Sequence, residues 1–158
     1  MPPPADTALR DELRDAGLPA EGAVAELLAL LRAVQETHLD LAAAQRLAAE
    51  GGLGLLRSEV AALMEALARA NLLGRVPVPG RAVLYDTVSR PHSHLMEEAS
   101  GSIVDLDVTP ETLAAIIRQT LADHPGRVEV LLRIRAPRPG EPGAPEPAKR
   151  PGRPRAVR

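Results

Sequence analysis

The chain has 158 residues, 45% of them hydrophobic and 25% charged, with a formal net charge of −2. That length suits one or two small domains with a real core. It contains no cysteine, which excludes disulfides, thiolate catalysis and any Cys-ligated zinc or iron–sulfur site. It has one tyrosine, no phenylalanine and no tryptophan, which argues against sheet modules that stack bases on aromatic rings.

The charge is unevenly spread. Residues 1–136 carry 13 basic and 19 acidic side chains, whereas residues 137–158 carry 6 basic and 2 acidic, together with seven prolines and three glycines. Such a tail buries too little apolar surface to offset the entropy of ordering, and is expected to be disordered. Unbroken apolar runs such as Leu27 to Leu31 fall far short of a membrane span, so no membrane partner is expected. The opening Met-Pro-Pro-Pro-Ala-Asp has no basic segment followed by an apolar one, and a cytoplasmic location is the expectation.

Four helical patterns come first. Thr7 to Ala16 is short and amphipathic, with Gly17 and Pro19 as stop signals. Glu21 to Gln35 repeats Val24, Leu27, Leu28, Leu31 and Val34 in steps of three and four, one apolar stripe on a helix. Asp40 is the expected N-cap of Leu41 to Glu50, which stops at Gly51-Gly52. Leu56 to Ala70 carries Val60, Leu63, Leu67 and Ala70 on one face, with Asn71 as its C-terminal cap. The period then changes. Leu72 to Pro77 and Ala82 to Thr87 read as two strands joined by a turn at Val78-Pro79-Gly80-Arg81. Three helices followed by a hairpin, with an extra helix in front, is the order of a winged helix-turn-helix. The same order also occurs in proteins that bind only protein.

A second, smaller unit follows. His94 to Met96 and Ser102 to Asp107 read as strands, and Pro110 to Asp123 as a helix capped by Thr109. Arg127 to Arg135 alternates Val128, Val130, Leu132 and Ile134 with mostly charged residues, the pattern of a half-buried strand. A unit of this size buries little alone and is expected to complete its core against a second copy. The expected fold class is α+β: a winged-helix domain over 1–87, an α/β dimerisation domain over 88–136, and a disordered Pro/Arg-rich tail over 137–158.

Catalytic motifs are missing. There is no phosphate loop, no dinucleotide fingerprint and no glycine elbow around Ser93, and Glu97-Glu98 reads as a solvated face. The chain is not expected to be an enzyme. Four histidines remain: His38, His92, His94 and His124. In an extended segment His92 and His94 share a face, because side chains alternate with period two. Asp86 precedes His92 by six residues, and His38 sits in the turn before the third helix. Imidazoles with a carboxylate suit Zn, Mn, Fe or Co as a divalent ion, although two exposed loop histidines would read the same way.

The order of these parts resembles the ferric uptake regulator family of metal-dependent transcription factors, from about Leu13 to Arg135. The stretches that carry it are Arg14-Asp15-Ala16-Gly17-Leu18, Thr37-His38-Leu39, Ala70-Asn71-Leu72-Leu73-Gly74-Arg75 and Val83-Leu84-Tyr85-Asp86, then His92-Ser93-His94-Leu95 and Gly101-Ser102-Ile103-Val104-Asp105-Leu106. The resemblance implies a homodimer that binds double-stranded DNA. It also implies a sensing divalent metal (Zn, Fe or Mn) on His38, Asp86, His92 and His94. Three features depart from the family pattern. Its paired cysteines fall on Glu97 and Ser100, so its structural zinc site is absent. A further metal site of many members would need a histidine and an aspartate where Pro91 and Ser93 stand, and His124 is left unassigned. The recognition helix, usually with a Thr-Val-Tyr-Arg core, reads Glu59-Val60-Ala61-Ala62, which leaves Arg57 and Ser58 as its expected DNA contacts.

Within the family the chain most resembles the iron response regulator branch. The shared features are Tyr85-Asp86-Thr87, the six-residue step to the His-x-His, and the closing Arg127-Val128-Glu129-Val130-Leu131-Leu132-Arg133-Ile134-Arg135. That branch responds to iron and haem status, which makes haem a second candidate cofactor, although the Cys-Pro haem motif of some members cannot exist here. Lys149-Arg150-Pro151-Gly152-Arg153-Pro154-Arg155 looks like an AT-hook, whose Gly-Arg-Pro core enters narrow A·T-rich minor grooves. Lys149, Arg150, Arg153 and Arg155 are its expected DNA contacts, and a basic solubilising tail is the plainer reading. Two functions compete. One is a metal-responsive DNA-binding regulator. The other is a degenerate family member that dimerises and binds metal but has lost specific DNA binding, acting as an interaction or metal-buffer protein.

Overall fold

Helix caps set the element boundaries in the first half of the chain. The structure is a computed structural model that describes residues 6–78, 82–90 and 92–131. Asp6 accepts the Leu9 amide at 2.8 Å and opens α1 (Thr7–Asp15). Asp40 accepts the Ala43 amide at 2.7 Å and opens α3 (Leu41–Glu50). Between them lies α2 (Ala23–Ala33), and α4 (Arg57–Arg69) follows α3. At the start of α4 the Glu59 carboxylate accepts the Leu56 amide at 2.7 Å.

Three helices end in the same way. After α1 the Gly17 amide donates to the Arg14 carbonyl and Leu18 to Leu13, both at 2.9 Å. After α3, Gly52 donates to Ala49 and Leu53 to Ala48; after α4, Asn71 donates to Ala68 and Leu72 to Leu67. This paired reversal is the Schellman motif, and it needs a left-handed residue at the turn. Gly17 (φ 73°), Gly52 (φ 81°) and Asn71 (φ 57°) supply it. The residues read as stop signals in the sequence are those that end these helices.

The core gathers around α2, which buries Val24, Ala25, Leu27, Leu28, Ala29 and Leu31. Leu9 and Leu13 of α1, Ala44 and Ala48 of α3, and Val60, Met64 and Leu67 of α4 close over it. Small residues on α3 let that helix approach closely. Leu30 lies against Gly51, where an added Cβ would stand 2.5 Å from its Cδ1.

A three-stranded antiparallel sheet follows, in the order β1 (His38–Leu39), β3 (Leu84–Asp86), β2 (Gly74–Val76). Asp86 at the end of β3 stands opposite both His38 and Gly74. The expected hairpin is present with shorter strands, its turn at 79–81 lying outside the described residues. His38, expected in a turn, instead pairs as an edge strand. Next come β4 (Ser93–Glu97) and β5 (Ser102–Leu106), an antiparallel pair with His94 opposite Asp105 and Leu95 opposite Val104.

α5 (Pro110–Asp123) begins with Thr109 accepting the Thr112 amide at 3.3 Å, as its sequence implied. The chain divides into two units, 1–118 and 119–158, the division falling within α5. In the second unit Gln119 donates to Asp123 at 2.9 Å, and the chain turns through Gly126 (φ 73°). The strand expected over 127–135 does not form over 127–131, which belong to no strand; 132–135 lie outside the described residues. Alternation marks a face but supplies no ladder partner. The tail at 137–158 also lies outside the described residues. Among the described residues no helix is long and apolar enough to cross a membrane.

Candidate metal centre

Four strands of the first unit deliver five donor side chains to two overlapping groups. β1 brings His38, the end of β3 brings Asp86, and the β4–β5 hairpin with the residue before it brings His92, His94 and Asp105. His38, His94 and Asp105 have ligand atoms mutually within 4.8 Å, as do Asp86, His92 and His94. The two triads share His94 and are joined again by His92 Nε2, which lies 3.3 Å from Asp105 Oδ1.

The spacing has one scale. His92 Nε2 is 3.0 Å from His94 Nε2 and 3.1 Å from Asp86 Oδ2. His38 Nε2 is 3.2 Å from Asp105 Oδ1, and His94 Nε2 is 3.4 Å from both Asp86 Oδ2 and Asp105 Oδ1. A divalent first-row ion sits about 2.1 Å from such donors, so two ligands at right-angle to tetrahedral separation lie roughly 3.0–3.4 Å apart. Each of these pairwise distances matches a ligand-to-ligand edge around such an ion, and the donors fall into two overlapping triads that share His94.

Hydrogen bonding fixes which atoms point inward. His92 Nδ1 is 2.8 Å from the Arg90 carbonyl oxygen, which can only accept. Nδ1 is therefore the protonated nitrogen, and in the neutral ring the lone pair of Nε2 faces the cluster. Asp86 Oδ1 accepts the Val88 amide at 2.8 Å, leaving Oδ2 for the interior. His38 Nε2, Asp86 Oδ2 and Asp105 Oδ1 are buried atoms that make no well-formed hydrogen bond and have only one another and the His92 and His94 nitrogens at 3.1–3.4 Å. Buried polar atoms are nearly always paired, and these three lie within the two triads that could hold a metal ion.

The electrostatics agree. The Asp86 side chain is fully buried and that of His92 is 2% exposed. Burial pushes the Asp86 carboxyl up; hydrogen bonding to His94, the Val88 amide and the charges of His92 and His94 together outweigh it and hold the group below its usual value. Asp86 is thus an anion in a dry place. Each triad offers two imidazoles and one carboxylate, donors suited to Zn, Fe, Mn or Co. The rings pack edge to face, His92 on His94 at 4.5 Å and His38 on His94 at 5.1 Å between centroids.

All four residues expected from the sequence, His38, Asp86, His92 and His94, meet in this cluster. Asp105 was not among them, although its stretch was. Its signal was a carboxylate within the short strand Ser102 to Leu106, facing a histidine across a hairpin. His124 has no place in these groups. Of the expected DNA contacts, Arg57 and Ser58 are exposed at the first turn of α4, and Lys149, Arg150, Arg153 and Arg155 lie outside the described residues.

No family model and no curated protein matches this sequence. Solved structures do resemble it. A ferric uptake regulator from Pseudomonas aeruginosa, determined with manganese, is 17% identical with a TM-score of 0.59, over 75% of this chain and 88% of that one. The Vibrio cholerae ferric uptake regulator is 15% identical with a TM-score of 0.56, over 78% and 92%. A zinc-bound manganese uptake regulator is 20% identical with a TM-score of 0.54, over 80% and 93%. At these identities the likeness is one of fold: the chain has the α+β fold of the ferric uptake regulators.

Proposed function

We propose that this chain is a metal-responsive, DNA-binding transcriptional regulator that acts as a homodimer, with a divalent ion held by His38, Asp86, His92, His94 and Asp105. The observation that carries this reading is the pair of donor triads sharing His94, with three of their atoms buried and without a well-formed hydrogen bond, in a fold shared with metal-uptake regulators. Its organisation is a winged-helix domain over 1–87, a dimerisation domain over 88–136 and a basic tail over 137–158. Arg57 and Ser58 contact DNA from α4, and Lys149, Arg150, Arg153 and Arg155 contact it from the tail.

The ligands come from both sides of the boundary at 87/88. A bound ion would tie His38 and Asp86 more firmly to the hairpin residues that already face them. A ligand that binds one arrangement better shifts the population toward it, and DNA affinity follows. Iron is the physiological signal in the reading closest to the iron response branch; without the Cys-Pro motif, haem could be bound only through histidine or another side chain. The test is metal analysis of protein purified without a polyhistidine tag. We expect stoichiometric Zn, Fe or Mn, lost in His92→Ala/His94→Ala. Wild-type protein without metal after exposure to each ion would refute the site.

A second reading has its own support. On α4, Ala61 and Ala62 stand where the family carries DNA-contacting residues. Glu59 is used at the helix start and Glu65 is held by Tyr85 and Arg75. Such a helix suits a member that dimerises and binds metal without reading an operator. Gel shifts on promoter DNA with and without metal separate the two: metal-dependent, sequence-selective retardation supports the regulator, and its absence supports the interaction or metal-buffer protein.

A further inference from the structure

We propose that Thr37 is a positioning residue of the metal centre, whose hydroxyl sets the donor atoms that His38 and Asp105 turn toward the ion. The proposal rests on reading the cluster as a metal site. Thr37 Oγ1 lies 3.2 Å from His38 Nδ1 and 3.2 Å from Asp105 Oδ2. A hydroxyl has one hydrogen, and an ionised carboxylate can only accept. The Thr37 hydrogen therefore goes to Asp105 Oδ2, and the oxygen receives a hydrogen from His38 Nδ1. In the neutral ring that leaves the lone pair of His38 Nε2 facing the cluster, and it leaves Asp105 Oδ1 free of Thr37. These two atoms face each other at 3.2 Å and are two of the cluster's three buried atoms without a well-formed hydrogen bond.

The hydroxyl is itself held in place. The Thr37 carbonyl accepts the Thr87 amide at 2.9 Å, one step beyond the His38–Asp86 pair of the β1–β3 ladder. A β-branched side chain on a pinned backbone has few rotamers. Thr37 thus reaches across 68 positions of sequence from the β1 edge to β5 and fastens one ligand of each before any ion arrives. Metal-bound histidines usually give their second N–H to a carboxylate, carbonyl or water. His92 follows that rule with the Arg90 carbonyl. His38 uses a hydroxyl already polarised by a fellow ligand, so ion, His38, Thr37 and Asp105 close a ring. Opening it loosens two donors at once.

The experiment compares wild type, Thr37→Val and Thr37→Ser with cobalt(II) as the probe, titrated against a chromophoric chelator. Thr37→Val keeps the branched shape and removes the hydroxyl; Thr37→Ser keeps the hydroxyl. We expect the valine variant to lose roughly 10–100-fold in affinity, the usual cost of removing such a support, and to change the cobalt ligand-field spectrum. The serine variant should recover most of both. Imidazole ¹⁵N shifts of the metal-free wild type should place the His38 proton on Nδ1, with mixed tautomers in the valine variant. Thermal melts by circular dichroism identify a variant that has merely unfolded, in which case the wild-type ¹⁵N assignment decides: a proton on His38 Nε2 overturns the proposal. Wild-type cobalt binding with an unchanged folded valine variant overturns the role of Thr37 alone. No cobalt uptake by the wild type overturns the metal centre and Thr37 together.

Discussion

Tyr85 is the one aromatic residue among Phe, Trp and Tyr in this chain. Its ring is buried and its hydroxyl donates to Glu65 Oε1 at 2.5 Å, while Arg75 pairs with the other oxygen of Glu65. Burial first, then the hydrogen bond to Glu65 and that carboxylate's charge, push the phenol up to about 12, with Arg75 pulling the other way. Because no other tyrosine or tryptophan absorbs, a near-ultraviolet titration reads this residue alone. We expect tyrosinate to appear near 12 in the folded protein and near 10 in denaturant. A folded value above the unfolded one means the protonated phenol stabilises the fold. That contribution is fully present below about pH 10 and lost as pH rises toward about 12. A folded titration at 10 would refute the buried Tyr85–Glu65 pair. At this scale the sequence displayed part of the site. His38, Asp86, His92 and His94 could be named from the spacing and the family likeness. Asp105 could not, because a carboxylate on a short strand looks solvated until the register puts it opposite His94. Thr37 could not either, since its hydroxyl acquires a role only through a contact 68 positions away.

Elements with local signals were legible; those that depend on a distant edge were not. Caps are local, so Asp40 and Thr109 and the turns at Gly17, Gly52 and Asn71 could be read directly. β1 has two residues, too few for any period, and exists because β3 offers it an edge. The 127–135 stretch shows the reverse case, clear alternation without a ladder over its described part. The β4–β5 hairpin raises a packing question. One face carries His94, Asp105, Met96 and Ile103; the other presents Leu95 and Val104 directly opposite each other, 44% and 50% exposed. A two-stranded hairpin is marginal alone and needs its apolar face covered. A second copy of the chain is the cover we propose. Sedimentation at micromolar concentration should give the dimer mass, and Val104→Arg should shift it toward monomer. Wild-type protein that sediments as a monomer with and without zinc would refute the dimer.

Across the whole molecule, charge separates the candidate metal ligands from the basic tail. Residues 1–136 have six more acidic than basic side chains, and residues 137–158 have four more basic than acidic. Net charge decides less than where the charge lies, and α4 offers DNA little. Its exposed start has Arg57 and Ser58, but Glu59 follows and Ala61 and Ala62 bring no donors. The tail has six cationic side chains in 22 residues and a Pro-Gly-Arg-Pro core suited to a narrow A·T minor groove. Each phosphate that a cation neutralises releases counterions, so affinity falls steeply with salt in proportion to the contacts made. Deleting residues 137–158 should therefore weaken binding to an A·T-rich duplex severalfold or more and flatten the dependence of log K on log salt. Arg57→Ala should cost less affinity and instead blur any preference between sequences, because phosphate contacts position a protein while base contacts specify. The measurement is a salt titration of full-length, truncated and Arg57→Ala proteins on the same duplex, repeated on a G·C-rich one. Equal slopes with and without the tail would make it a bystander and return the burden of DNA affinity to α4, where Arg57 would then have to carry both position and preference.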